Sequence, residues 1–141
     1  MTPDSIIAQL GMSPHDEGGH FAEAWRGAET GEGRASGTSI YYLLRAGERS
    51  QWHRVDATEL WLFHAGGPLA LDYVNAEGVV QRCTLGPALD SGEKLQVVIP
   101  AGCWQTAMPL GSWTLVACVM VPGFTPEGWE LAPPHWTPVT P

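Results

Sequence analysis

Histidine and glutamate fall at two places where their spacing could support chemistry. In "GERSQWHRVDATELWLFHAG", residues 47–66, His53 precedes Glu59 inside an otherwise apolar run. A histidine beside a buried carboxylate is a proton-transfer pair, because the carboxylate orients the ring and raises its basicity. The same two side chains can also ligate a cation or hydrogen-bond a small molecule. Gln105 adds an amide, and Tyr41, Trp61 and Phe63 offer aromatic walls for a ligand pocket. A second group lies in the glycine-rich stretch "PHDEGGHF", residues 14–21, with Glu23 just beyond it. From there Glu17 or Glu23 can reach over a pocket mouth.

Each of these residues also has a plainer reading. His53 alone reads as a satisfied core histidine, and Glu59 as a carboxylate paired with Arg45 or Arg54. Gln105 can be a structural hydrogen-bonder, and Trp61 and Phe63 can be packing. The loop glycines can serve turn geometry alone. Cys118 reads as an inert core thiol.

The elements that must position these groups are mostly strands. One short helix opens the chain, capped by Thr2, with Pro3 at its first position and Gly11 past its end. Ile6, Ile7 and Leu10 share one of its faces. Thereafter turn residues punctuate β-rich runs, predicting strands near 38–44, 50–55, 59–65, 69–75, 79–85, 95–100, 104–108 and 113–121. Many short strands at that spacing make an antiparallel sandwich or barrel. Side chains alternate along a strand, so His53 and Val55 point in while Trp52 and Arg54 point out. Glu59, Trp61 and Phe63 share one face, and Leu60, Leu62 and His64 the other. Both faces carry large apolar groups. Burying Glu59 unpaired costs several kcal/mol, so it needs a cation, a hydrogen bond or a proton.

Composition narrows the function classes. The chain has 141 residues, one domain on length priors, read here as 1–141 with a core over 6–131 and a Pro-rich tail over 132–141. The tail is expected to be an irregular strap or a loose end. Fifteen acidic against seven basic residues give a net charge of −8, which argues against a nucleic-acid or anionic-membrane partner. The three cysteines show no CxxC spacing, so neither a disulfide framework nor a zinc knuckle is expected. "MTPDSIIAQLGM" lacks the features of a signal peptide, and no apolar run is long enough to span a bilayer. The reading is a soluble, reduced, cytoplasmic protein.

The opening stretch resembles the first motif of the cupins: a glycine, five residues, His-x-His, three or four residues, Glu, six residues, glycine. Gly47, His53, Glu59 and Gly66 stand at those positions. Pro100 and Gly102 in "PAGCWQTAMP" match the start of the second motif. The set "PHDEGGHF", "TSIYYLL", "HRVDATELW", "PAGCWQ" and "PGF" resembles one subfamily, cupin family 5, from about residue 6 to residue 131. The resemblance implies an all-β double-stranded β-helix, or jelly roll, and a homodimer. It also implies a metal site of three histidines and a glutamate, but Val55, Gln105 and Pro109 stand where the motifs have two histidines and an asparagine. No cofactor is expected; a divalent metal, if bound, would sit at low occupancy on His53, Glu59 and Gln105.

Two classes of function remain open. One is a metal-independent acid–base enzyme, of epimerase, isomerase or lyase type, acting on a small polar, sugar-like metabolite. It would resemble the sugar-nucleotide epimerases among the cupins, with His53 and Glu59 catalytic. The other is a non-catalytic module binding a small molecule through His53, Glu59 and Gln105; a metal-dependent cupin enzyme with a reduced ligand set is a further alternative that the resemblance leaves open. Homodimerisation is expected independently, from apolar side chains with no interior to fill. Leu60 and Leu62 oppose Glu59, and Ile40, Tyr42 and Leu44 alternate away from Tyr41 and Leu43.

Overall fold

The computed structural model of the chain describes residues 1–138. The last three tail residues, 139–141, lie outside the described residues. Helix α1 (Pro3–Leu10) starts at Thr2, whose side chain accepts from the Ser5 amide while Ser5 Oγ accepts from the Thr2 amide. Gly11 closes it in the left-handed conformation. Eleven strands follow: β1 (Ser13–Pro14), β2 (His20–Arg26), β3 (Thr38–Arg45), β4 (Ser50–Val55), β5 (Thr58–Gly66), β6 (Leu69–Val74), β7 (Val80–Leu85), β8 (Gln96–Ile99), β9 (Gln105–Pro109), β10 (Trp113–Val121) and β11 (Trp129–Leu131). The eight sequence-predicted strands are all present, within a residue or so of their expected ends. β1, β2 and β11 were not expected. β2 directly follows the glycines of the "PHDEGGHF" stretch, and β11 precedes the proline-rich tail.

The strands form two antiparallel sheets, ordered β1-β2-β3-β10-β5-β8 and β11-β4-β9-β6-β7. This is the all-β jelly roll expected from the pattern of short runs. The main core lies between the sheets and contains Tyr42, Leu44, Trp61, Leu69, Leu71, Leu85, Ile99 and Val116.

One face assignment is reversed. Ile40, Tyr42 and Leu44 of β3 pack in the inter-sheet core, whereas Tyr41 and Leu43 face outward, with Ile6, Met12 and Leu115 against helix α1. Tyr41 therefore lies outside the barrel, edge-on to His64 at 5.9 Å, and is not a ligand-pocket residue. The strand is apolar on both faces, because one meets a sheet and the other a helix, so alternation alone could not choose between them.

Two irregularities shape β4. Its pairing with β9 slips between Ser50 and His53, so both of these residues become buried. Trp52 points outward as expected but is buried, because the tail folds back over it. Trp136 packs on Trp52 and Trp104, and the Arg54 guanidinium lies 4.6 Å from the Trp104 ring. The described part of the tail is thus a strap.

Candidate functional site

A cavity of about 500 Å³ opens at the end of the barrel where β2, β3, β5 and β10 meet the loop before β2 and the segment 124–129. Its floor carries Glu59 and Cys118, and its wall carries His15, Phe21, Ile40, Phe124 and Trp129. Glu17 closes one side, and Asp16, Glu23 and Arg26 stand at the rim.

Glu59 is 3% exposed. Its Oε1 accepts from Gln105 Nε2 at 2.7 Å, and Gln105 Oε1 in turn accepts from Trp61 Nε1 at 2.8 Å. An indole nitrogen can only donate, so Trp61 fixes which way the amide faces. Burial pushes the Glu59 carboxyl up to about 7, against the pull of the His53 imidazole and with a further push from Glu17. Neither arginine proposed as a partner reaches it: Arg54 pairs with Glu130 at 2.7 Å and Arg45 with Glu48 at 2.8 Å. Cys118, pressed against this carboxyl, has its thiol pushed well above the usual range, first by burial and then by the Glu59 charge. It lines the cavity as a neutral thiol.

His53 is 1% exposed and lies behind the cavity wall, opposite Gln105 across the β4–β9 pair. Its Nδ1 is 2.7 Å from the Gln51 carbonyl, which can only accept, so Nδ1 carries a proton. The ring is therefore oriented by backbone and not by Glu59. Its Nε2 faces Glu17 Oε2 at 3.4 Å.

Glu17 is the carboxylate that the loop delivers. Its Oε1 accepts from Ser50 Oγ at 2.9 Å and its Oε2 from Trp129 Nε1 at 3.3 Å. The loop reaches this depth because two glycines let it run against neighbouring backbone. Gly18, at φ +114°, abuts the Arg49 carbonyl, and a Cβ on Gly19, at φ +74°, would lie 2.7 Å from the Leu43 carbonyl oxygen. The buried Tyr42 hydroxyl donates to the Gly18 carbonyl and ties the loop to β3. His15 lies 3.9 Å from Glu17 Oε2, but its Nδ1 accepts the Glu17 amide at 3.1 Å. That nitrogen is an acceptor, so the hydrogen bond describes the contact and an ion pair does not.

Of the sequence candidates, Glu17, Glu23 and Glu59 line the cavity, and His53 and Gln105 stand directly behind it. Trp61 and Phe63 belong to the core beneath. Ser50, Phe124 and Trp129 were not anticipated as site residues. Ser50 enters through the β4 bulge and Trp129 through the unexpected β11, and neither carries a local signal.

The arrangement does not fit a cupin metal centre. Gln105 has committed its oxygen to Trp61 and turns its amide nitrogen toward Glu59, so His53, Glu59 and Gln105 cannot act together as ligands. Among the described residues, no three His, Cys, Asp or Glu side chains are grouped to hold a metal ion.

Comparison with known proteins agrees with the jelly-roll fold. The family model "Cupin superfamily (DUF985)" matches residues 4–132. A crystal structure of a Shewanella oneidensis protein is 36% identical, with a TM-score of 0.89 over 94% of this chain and 85% of that one. A hypothetical protein from Leishmania major is 30% identical, with a TM-score of 0.83 over 92% of this chain and 86% of that one. Oxalate decarboxylase from Bacillus subtilis shares the fold at 16% identity and a TM-score of 0.65, over 84% of this chain but 29% of the decarboxylase. No curated protein matches in sequence. With the jelly roll in place and the family model spanning nearly the whole chain, the protein belongs to the cupin superfamily, in the cupin family 5 (DUF985) group.

Proposed function

We propose that this cupin is a metal-independent acid–base enzyme acting on a small polar, sugar-like metabolite, by epimerisation, isomerisation or elimination. The observation that carries the reading is Glu59, a buried, cavity-facing carboxyl held at about 7. A group that titrates near neutrality is populated in both forms, so it can take a proton from a substrate carbon and return one. Gln105 and Trp61 hold its geometry from behind. The wall of His15, Phe21 and Trp129 gives a sugar-like ring an apolar surface to lie against. Metal independence belongs to the same proposal and rests on the committed Gln105 amide. Protein purified without chelator or affinity tag should hold well under one equivalent of Fe, Mn, Zn or Ni.

The enclosure of His53 favours a second reading, a non-catalytic binding module, since the imidazole meets Glu17 and not the cavity. Deuterium incorporation separates the two. Hydroxy-aldehydes, hydroxy-ketones and their sugars, incubated with the protein in D2O, should gain deuterium at carbon, and Glu59→Gln should stop it. Ligand-induced resonance shifts without any incorporation would leave the binding module.

Two further parts concern assembly and setting. We propose a homodimer formed through the outer face of the larger sheet. There Leu60 lies between Val98, 49% exposed, and Val119. Helix α1 covers the neighbouring Leu43, which narrows the uncovered area. Light scattering should return about twice the 15.2 kDa chain mass; a monomer at all dilutions rejects the dimer. The free thiols Cys83, Cys103 and Cys118 support a reducing, cytoplasmic setting.

A further inference from the structure

The charges around the cavity do not balance. Glu17 and Glu59 are both buried, and Asp16 and Glu23 add two carboxylates at the rim. Among the described residues, Arg26 is the only arginine or lysine lining the cavity, and its guanidinium is taken by Glu23 at 2.8 Å in an exposed pair. His15 offers no compensation, because its Nδ1 serves as an acceptor. His53 is the remaining basic group, and its free nitrogen faces Glu17. Glu59 is thus left with one amide donor, the Cys118 thiol and no Lys or Arg, while lining the open space.

The wall has the matching chemistry. His15 stacks edge-on to Phe21 at 4.7 Å and lies 6.5 Å from Trp129, and Phe124 also borders the cavity. Aromatic faces carry negative potential, so rings together with uncompensated carboxylates attract a cation. A carboxylate or phosphate ligand would meet like charge and displace no cation except one already paired. A neutral ligand would leave the ionised form of Glu59 with only the His53 imidazole to offset its charge.

We propose that the ligand of this cavity carries a positive charge: a small hydroxylated amine of aminosugar type, its ammonium set beside Glu59 and its carbon frame against the aromatic wall. The proposal rests on reading this cavity as the ligand site and narrows the ligand to amines. It does not require that the amine react.

The test uses the simplest probes, methylammonium, methanol and acetate, at matched ionic strength, so that screening cancels. The readout is the carboxyl carbon resonance of Glu59 followed through pH. A cation bound within a few ångströms favours the ionised carboxylate, so methylammonium should lower the Glu59 midpoint by about one pH unit. Methanol and acetate should leave it in place. In Glu59→Gln, followed through the Trp129 indole resonance, methylammonium should bind about tenfold more weakly. If that buried change prevents folding, the exposed rim variant Asp16→Asn should weaken binding by a smaller factor. An unmoved Glu59 midpoint in methylammonium, or cavity resonances that respond to acetate in preference to methylammonium, overturns the proposal. Deuterium exchange is independent of this result: its absence, with amine preference intact, removes the catalytic reading alone.

Discussion

Two carboxyls face one cavity from different origins, and their surroundings assign them different work. Glu59 sits on a strand between Ile99 and Met120, and its single amide donor, Gln105, comes from the facing sheet. Glu17 sits on a loop that brings it to a hydroxyl, an indole and an imidazole together. Both are nearly inaccessible, so burial does not separate them. The donors do. Glu59, short of donors, titrates near neutrality and can exchange a proton, whereas Glu17, held by Ser50 and Trp129, shapes the site. On the proposed reading, the strand supplies the chemistry and the loop supplies the wall that dries it.

The largest expected effect lies on the Glu59 side. Its folded pKa of about 7 lies above the ordinary 4.5, so the carboxyl favours folding in its protonated form. That contribution is fully present below about 4.5, is lost as pH rises through about 7, and stays lost above it. The cost of ionisation at alkaline pH is bounded at about 3 kcal/mol. Glu59→Gln, uncharged at every pH, should therefore gain stability on the wild type by up to that amount at pH 8 and little at pH 4. Chemical denaturation at the two pH values checks it, and equal gains at both would mean that the carboxyl is not strained by burial.

The Glu17 side should break through its backbone. Gly18→Ala forces a Cβ against the Arg49 carbonyl at a φ that disfavours side chains, and should cost about 1–3 kcal/mol and dislodge Glu17. Gly78→Ala shares a positive φ but meets nothing within 4 Å, so its cost should be the smaller of the two. Similar melting temperatures for the two variants would contradict a packed loop.

Smaller changes sharpen the contrast. Ser50→Ala removes one donor from Glu17 and should cost about 1 kcal/mol in thermal unfolding. Glu17→Gln removes a charge that pushes the Glu59 carboxyl up, so the Glu59 midpoint should fall by a fraction of a pH unit. A rise, read by the same carboxyl resonance, would show that Glu17 acts on Glu59 mainly through His53.

Much of this was legible before any fold was known. Thr2, Pro3 and Gly11 bound the helix because capping and backbone preference are local. Residues 113–121 form a strand end to end, since a long β-branched run between turn residues has few alternatives. Glu59 was singled out because a carboxylate in an apolar run is costly wherever the chain folds. Tertiary structure decided what local pattern could not. It chose Tyr42 over Tyr41 for the interior, because both faces of β3 are covered and only the partners differ. It set Glu17 opposite His53 through a bulge in β4 and a pair of glycines, neither of which records its distant neighbour. It also turned the Gln105 amide away from ligation, through a hydrogen bond to Trp61 from another strand. Local chemistry fixes which residues are expensive to bury, and long-range pairing decides who stands beside them.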